Sequence, residues 1–176
     1  MKKLLLHTCC APCFTVASLR VKKEYLTTSF FYNPNINTSE EFYKRYNELA
    51  GFCNLIKFKL IKMEYNPKTF LDCISGHELD EEGGQRCELC IGHRLEQTAK
   101  YAKENGFDCF STTLTTSPHK NSALIFSLGK LYEKKYDIEF LILDFKKNNG
   151  YTKSVEMCKE YKIYRQNYCG CTFSKR

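Results

Sequence analysis

The sequence contains no tryptophan, only four prolines and nine glycines in 176 residues, and no long hydrophobic run. No apolar stretch approaches the roughly 18 residues that a membrane-spanning helix needs, so no association with a membrane is expected. There is no G-x-G-x-x-G dinucleotide motif, and Gly129-Lys130 does not form a phosphate-binding loop because Leu124 stands where its first glycine belongs. The common signatures of nucleotide hydrolysis are therefore absent.

The amino-terminal segment resembles the start of a secretory signal but is too short to be one. Lys2 and Lys3 precede three leucines, and His7 ends this run before it reaches the roughly 7–15 apolar residues of a signal core. The 11 cysteines fall below the roughly 8–10% of a disulfide scaffold, and their number is odd. We therefore expect a cytoplasmic protein, in which clustered cysteines bind metal or carry out redox chemistry.

Strand and helix signals alternate along the whole chain. Strands are predicted over residues 3–8, 26–32, 57–65, 108–114 and 138–145. Helices are predicted after Pro12, after Thr38, from Gly84 to Gly106, and over residues 122–136 and 152–161. This alternation predicts an α/β fold in a single domain spanning 1–176, with a largely parallel sheet of about five strands and helices on both faces. In such folds, the ligand crevice lies at the carboxyl ends of the strands.

Most of the cysteines fall into three groups. One group follows the first predicted strand, the second lies near the start of the long helix that begins after Gly84, and the third lies near the carboxyl terminus: Cys9, Cys10 and Cys13; Cys87 and Cys90; Cys169 and Cys171. The other four are solitary and are predicted to be small buried side chains: Cys53, Cys73, Cys109 and Cys158. The grouped cysteines are the candidate functional residues.

The first two groups can supply four thiolates to one crevice, namely Cys9, Cys10, Cys87 and Cys90. Adjacent cysteines suit two different irons of a cuboid cluster better than one tetrahedral ion, so an iron–sulfur cluster ranks above zinc. A zinc-stabilised RNA-binding module is the alternative, with Cys13 and Cys10 forming one of its pairs. Far more residues separate that pair from Cys87 than the roughly 15–20 of a zinc ribbon.

Two further patterns indicate thiol redox chemistry. Cys10-Ala11-Pro12-Cys13 lies between a predicted strand and helix, as in a thioredoxin-like thiol oxidoreductase, but the chain lacks tryptophan and no βα unit precedes the motif. Cys169-Gly170-Cys171 would close a tight disulfide ring, and a departure from relaxed disulfide geometry makes such a bond easier to reduce. The latter pair is therefore predicted to be redox-active.

Five ordered motifs resemble one known family. They are Leu4-Leu5-Leu6-His7-Thr8-Cys9-Cys10-Ala11-Pro12-Cys13, Phe31-Tyr32-Asn33-Pro34-Asn35-Ile36, Cys87-x-x-Cys90 with Arg94-Leu95, Phe110-Ser111-Thr112-Thr113-Leu114 with Ser117-Pro118, and Tyr164-Arg165-Gln166-x-Tyr168-Cys169-Gly170-Cys171. The chain is similar over nearly its whole length to the cobalamin-independent epoxyqueuosine reductases (QueH). The resemblance implies an oxidoreductase that reduces epoxyqueuosine to queuosine at the wobble position of tRNA, in the last step of queuosine biosynthesis.

The resemblance also carries expectations for individual residues. It implies a fold like the adenine-nucleotide-hydrolase-like superfamily and a 4Fe-4S cluster bound by Cys9, Cys10, Cys87 and Cys90. It implies a redox-active disulfide between Cys169 and Cys171. An additional iron next to the cluster belongs to the same expectation, with Cys13 as the nearest unassigned thiol. The electron donor is not identified by the sequence.

The charge balance agrees with a tRNA substrate. A formal charge of +7 suits a polyanion. Aromatic residues near the Cys-Gly-Cys segment are candidates to stack on unpaired bases, with a neighbouring arginine and a predicted helix start as phosphate contacts: Tyr151, Tyr164 and Tyr168; Arg165; Ser117-Pro118-His119-Lys120. No proton donor is assigned, although His7, Asp108 and Asp144 lie near predicted strand ends.

Overall fold

The computed structural model describes residues 1–174. All of its strands form one parallel sheet with the order β3-β2-β1-β4-β5. The elements are β1 (Lys2–His7), α1 (Ala11–Val21), β2 (Tyr25–Phe31), α2 (Ser39–Ile56), β3 (Lys59–Lys62), α3 (Pro67–Cys73), α4 (Gln85–Glu104), β4 (Cys109–Thr112), α5 (Ser122–Tyr136), β5 (Glu139–Phe140) and α6 (Gly150–Glu160), with 3-10 turns at Thr113–Thr116 and Thr172–Ser174. The predicted α/β architecture is confirmed.

Side chains of the central strand β1 alternate between two hydrophobic layers. Leu4 and Leu6 pack with residues of α1, α2 and α6, whereas Leu5 packs on the opposite face with residues of α4 and α5. This alternation follows from the two-residue period of a strand. Both faces of the sheet are therefore covered by helices, as the sequence predicts. No helix in the described part of the chain is long and apolar enough to cross a membrane.

Several predicted boundaries are wrong. The strand predicted over 138–145 ends at Phe140, because β4 turns into the 3-10 helix after Thr112 and leaves the later residues without a strand partner. The side chain of Thr115 replaces the missing strand as the hydrogen-bond partner of this segment. Its hydroxyl donates to the Leu143 carbonyl (2.8 Å) and accepts from the Phe145 amide (3.2 Å). The strand predicted over 57–65 shortens to Lys59–Lys62.

Two helical features also differ from the prediction. Helix α3 was not predicted, although Pro67 stands in its first turn, where proline is favoured. The segment Ser117-Pro118-His119-Lys120 does not open α5, which begins at Ser122 with the Asn121 side chain accepting from the Leu124 amide (3.2 Å). The helix predicted over 122–136 is otherwise confirmed in its bounds.

Strand order places a crevice beside the end of β1. The chain crosses from β1 to β2 on one side, and β4 lies against β1 on the other side. Such a reversal of strand order leaves an opening at the carboxyl ends, where the connecting segments diverge. His7 ends β1, and Cys9 and Cys10 follow immediately at this opening.

Candidate active site

Three thiols cluster at the start of α1, and we call Cys9, Cys10 and Cys13 the amino-terminal thiol cluster. Their sulfur atoms all lie within 4.8 Å of one another, a spacing at which they could hold a metal ion. Cys10 is the extended residue before the helix, and Pro12 in the first turn favours helix initiation directly after it. One strand end and one helix start therefore bring the thiols together.

The thiols of this cluster share their protons unequally. The pKa of Cys9 lies well below its usual range, chiefly because the Cys10 and Cys13 side chains hydrogen-bond to it. The pKa of Cys10 rises to about 12, since its hydrogen bond with Cys13, which lowers it, is outweighed by the interaction with Cys9 and by burial. One thiolate held by two thiols is an arrangement that a bound cation further stabilises.

Cys87 and Cys90 are buried in the first two turns of α4. The Gly83 amide donates to the Cys87 sulfur (3.3 Å), and burial raises the pKa of Cys90. Cys87 lines a cavity of about 580 Å³ together with the amino-terminal thiol cluster and Cys169. Cys90 lines a narrow adjoining space with Cys87, Cys169 and Cys171. The structure therefore brings all three cysteine groups to one region.

The carboxyl-terminal thiol pair, Cys169 and Cys171, has its sulfurs 3.7 Å apart. The Ser174 hydroxyl contacts both, at 2.8 Å from Cys169 and 3.3 Å from Cys171. The hydrogen-bonded contact with Cys171 lowers the pKa of Cys169 to about 5, while the same contact with Cys169 raises the pKa of Cys171 far above its usual value. The opposite shifts favour a thiolate at Cys169 next to a protonated thiol at Cys171.

A buried arginine lies between the cysteine groups. Arg94 of α4 is 4% exposed, and it donates through Nε to the Cys90 carbonyl (3.3 Å) and through Nη1 to Asn33 Oδ1 (3.5 Å). It forms no ion pair within residues 1–174, and its charge interacts with Cys90, Cys9 and Cys169. Arginine is rarely buried without a charged partner, and Cys9 and Cys169, whose pKa values are lowered, are the thiols best suited to supply its counter-charge.

The wall of the cavity is rich in positive charge. Arg45, Arg94, Lys120 and Arg165 line it, and Glu82 lines it as well. The backbone of Lys120 is fixed by a hydrogen bond, because Lys146 Nζ donates to the Lys120 carbonyl (2.6 Å). The signal that singles out Arg94 in the sequence is its place four residues after Cys90 on the buried face of a helix. Arg45 carries no comparable signal.

The tyrosines near the Cys-Gly-Cys segment already contact cationic side chains of the protein. Lys44 Nζ lies 3.6 Å from the centre of the Tyr164 ring, and the Arg45 guanidinium lies 5.0 Å from that of Tyr168. Each ring therefore has a cation of α2 on one face. Tyr151, which lines the cavity, is 40% exposed and contacts Arg165 (3.4 Å between Oη and Nη2).

The acidic and imidazole groups near the strand ends are structural. His7 is fully buried between the Thr112 hydroxyl (2.9 Å) and the Tyr32 carbonyl (3.1 Å), and burial lowers its pKa to about 4. Asp108 accepts from the Lys3 amide (2.6 Å), and Asp144 from the Lys146 amide (3.3 Å). None of the three lines the cavity.

Three of the solitary cysteines are buried as predicted, namely Cys53, Cys109 and Cys158. Cys73 is wrongly predicted, since it is only partly buried at the end of α3, where its thiol donates to the Leu89 carbonyl (3.5 Å). The reason is that α3 is a short surface helix over α4 rather than a core element.

Comparison with known proteins identifies relatives along nearly the whole chain. Residues 4–176 match the family described as Epoxyqueuosine reductase QueH. The chain is 42% identical over 188 residues to the epoxyqueuosine reductase QueH of Streptococcus pyogenes serotype M1, covering 98% of this chain and 70% of that protein. It is 38% identical over 177 residues to the protein of the same name from Thermotoga maritima, covering 99% of this chain and 91% of that one.

Two solved structures share the fold at 13% sequence identity. One is a predicted subunit of a tRNA methyltransferase from Methanocaldococcus jannaschii, with a TM-score of 0.59 over 91% of this chain and 75% of that one. The other is the U34-tRNA thiolase NcsA from Methanococcus maripaludis with its [4Fe-4S] cluster, with a TM-score of 0.61 over 99% of this chain and 62% of that one. At this identity the likeness is one of fold.

Proposed function

Because this chain belongs to the epoxyqueuosine reductase family QueH, we propose that it reduces epoxyqueuosine to queuosine at the wobble position of tRNA. The observation that carries the proposal is the cavity of about 580 Å³ whose lining includes thiols from all three cysteine groups. A cavity of this volume is large enough for one modified nucleoside. Enzymes that act on a base in this way take it out of the stack.

Reducing an epoxide to an alkene consumes two electrons and two protons and releases the oxygen as water. Cys169 and Cys171 can supply both electrons by forming a disulfide, since their sulfurs are 3.7 Å apart. With Cys169 as thiolate and Cys171 as thiol, the pair also brings one proton. The balance is thiolate, thiol, epoxide and one further proton giving disulfide, alkene and water.

The second proton needs a donor in the cavity, and we assign it to Lys120 Nζ. Lys120 lines the cavity and also the adjoining space that Cys169 and Cys171 share. Its side chain makes no ion pair within the described chain, so we propose that it meets the oxygen that leaves. The disulfide must then be reduced again by two electrons from an external donor, which the sequence does not identify.

The donor set of the site suits an iron–sulfur cofactor. Sulfur is the ligand that iron–sulfur clusters require, and the thiols of Cys9, Cys10 and Cys87 line one cavity while Cys90 lines the space beside it. We assign the 4Fe-4S ligands to these four residues. Such a cluster, when bound, passes electrons singly between the external donor and the site.

Cys13 adds a fifth thiol to this set. Its sulfur lies within 4.8 Å of those of Cys9 and Cys10, which makes it the candidate ligand for an additional iron. The fold is shared with a tRNA thiolase whose structure holds a [4Fe-4S] cluster, which agrees with the proposed cluster. The cations Arg94 and Lys120 offset the negative charge that thiolates bring to this region.

The tRNA-binding surface is proposed on the cavity rim. Arg165 and Tyr151 contact each other there, so they present a cation and a ring together to a phosphate and a base. The formal charge of +7 adds an attraction that is independent of sequence. We expect binding to weaken steeply with salt for this reason.

The test is anaerobic incubation of the iron-loaded protein with tRNA that contains epoxyqueuosine and a reductant, followed by mass analysis of the nucleosides. The proposal expects queuosine to form. Cys169→Ser is expected to keep its iron but lose turnover, and Cys87→Ser to lose iron. Cys53→Ala, at a buried solitary cysteine that does not line the cavity, is the control and should keep both. Absence of queuosine with an iron-replete enzyme contradicts the proposal.

The two alternatives make different predictions for the same protein. A zinc-stabilised RNA-binding module should purify colourless with zinc and bind tRNA without changing it. A thioredoxin-like thiol oxidoreductase should reduce protein disulfides through Cys10 and Cys13, whose sulfurs do lie close together. Iron and sulfide analysis of anaerobically purified protein, with an insulin-reduction assay, separates these outcomes from the proposed one.

A further inference from the structure

One arginine of α2 contacts the backbone of the carboxyl-terminal thiol pair. Arg45 Nη1 donates to the Cys169 carbonyl (2.9 Å) and Nη2 donates to the Tyr168 carbonyl (3.4 Å). Its Nε donates to Glu41 Oε1 (2.6 Å), one turn earlier on the same helix. The Arg45 side chain is only 2% exposed. All three nitrogens of the guanidinium are therefore used, and two of them hold consecutive carbonyls of one segment.

The neighbouring contacts hold the same segment from the loop between β2 and α2. The Asn37 amide donates to the Gly170 carbonyl (2.7 Å), and the Asn35 side chain reaches the Cys169 carbonyl (3.5 Å). Gly170 has φ +117, a conformation that side chains disfavour, and a Cβ there would stand 3.0 Å from Arg45 Nη1. The Cys-Gly-Cys backbone is thus fitted closely against Arg45.

We propose that Arg45 is a positioning residue for the Cys169–Cys171 couple, holding the backbone so that the two sulfurs stay within reach of each other. This inference rests on the proposed function, in which these thiols supply the two electrons. A disulfide needs its sulfurs about 2.05 Å apart. An unrestrained three-residue segment spends much of its time with the two sulfurs apart. The dithiol can adopt those conformers, but the disulfide cannot.

Removing the two carbonyl contacts therefore stabilises the dithiol relative to the disulfide. The dithiol gains conformational entropy and the ring-closed form does not. Lysine retains the charge but cannot hold two carbonyls and a carboxylate with one planar group. We expect Arg45→Lys to lower the disulfide-to-dithiol ratio at a fixed glutathione poise about tenfold, which equals a shift of about 30 mV toward a more oxidising potential.

The readout is a single peptide. Trypsin releases residues 166–175, which include Cys169 and Cys171 and no other cysteine. The full-length protein is equilibrated with mixtures of glutathione and its disulfide, quenched by alkylation, and digested. Oxidation of the pair, as thiolate and thiol, releases two electrons and one proton, which with one further proton from the buffer convert one glutathione disulfide to two glutathiones. The fraction of unalkylated peptide at each poise gives the midpoint potential.

Arg20→Lys is the matched control. Arg20 also donates to two backbone carbonyls, those of Asp144 (2.8 Å) and Lys147, but these belong to the loop before α6. Its substitution should lower thermal stability without moving the ratio in peptide 166–175. Equal shifts in Arg45→Lys and Arg20→Lys indicate general loosening of the fold and overturn the proposal.

Gly170→Ala tests the same contact from the other side and serves if Arg45→Lys does not fold. Its added Cβ meets Arg45 Nη1 and Ile36 at 3.0 Å and should also lower the ratio. A wild-type midpoint potential in a folded Arg45→Lys or Gly170→Ala protein contradicts the role of Arg45. Since this measurement uses neither tRNA nor turnover, its failure is distinct from failure to form queuosine.

Discussion

The amino-terminal thiol cluster and the carboxyl-terminal thiol pair are alike in chemistry and different in construction. Each combines a cysteine of lowered pKa with at least one of raised pKa. The first is built by adjacent elements, the end of β1 and the start of α1. The second lies in an irregular segment after α6, and its backbone is held by α2 and the loop before it. Local structure therefore suffices to bring the first three thiols together, whereas the geometry of the second pair depends on tertiary contacts.

The largest expected effect separates the two regions by role. Cys10→Ser removes a thiol of the amino-terminal cluster and should lose iron and activity together. Cys171→Ser should keep the iron of the wild type and lose at least about a hundredfold in turnover, because removal of a covalently participating group has effects of this order. Iron analysis and nucleoside mass analysis check both. Equal iron loss in the two variants contradicts the division.

The next effect concerns the cation between the regions. Arg94→Met should weaken iron retention about tenfold, since the thiolates lose their buried counter-charge and outer-shell changes have effects of this size. Arg94→Lys should recover part of the loss, because it restores the charge without the fork. Competition with a chelator measures retention. If Arg94→Met retains iron as well as the wild type does, Arg94 does not stabilise the iron site.

A smaller effect appears in the pH dependence of labelling. In the reduced protein, Cys169 should react with iodoacetamide with a midpoint near pH 5, because the folded protein holds its pKa about there against an ordinary value of 9.0. The lowered pKa also makes the free energy of unfolding depend on pH. The Cys169 thiolate contributes stability that is fully present when the pH is above the ordinary pKa of 9.0. This stability is lost as the pH falls through the pKa of the folded protein. A midpoint near pH 9 contradicts this.

The smallest expected effect belongs to Ser174. Its hydroxyl lies 2.8 Å from Cys169 and is one of several groups that lower the pKa there. Ser174→Ala should therefore raise the labelling midpoint by less than about one pH unit, the size of one hydrogen bond. Thr172→Ala, at a hydroxyl that contacts Asn37 instead of a sulfur, is the comparison variant and should leave the midpoint unchanged. Equal shifts in both would remove the Ser174 contact from the explanation.

Sequence patterns predict the layered sheet and the helices well where local signals decide. Helix α5 is bounded as predicted because Asn121 caps it and its amphipathic pattern is regular. Strand β5 is shorter than predicted because its length depends on where β4 turns away. An apolar run does not reveal whether a neighbouring strand is still present.

The same distinction holds for the site. The cysteine groups are visible in the sequence because their spacing is unusual, and the structure brings them around one cavity. Arg45 could not be predicted, because its role lies in contacts with residues more than a hundred positions away along the chain. Cys13 could be named as an unassigned thiol, and its closeness to Cys9 and Cys10 follows from the bend between β1 and α1.

The central claim is that the carboxyl-terminal thiol pair provides the electrons that reduce the substrate. It is tested most directly by one turnover without added reductant. Reduced, iron-loaded protein is freed of reductant, mixed anaerobically with epoxyqueuosine-containing tRNA, and quenched by alkylation. We predict that disulfide in peptide 166–175 and queuosine appear in equal amounts. Queuosine formed while this peptide stays fully alkylated would contradict it.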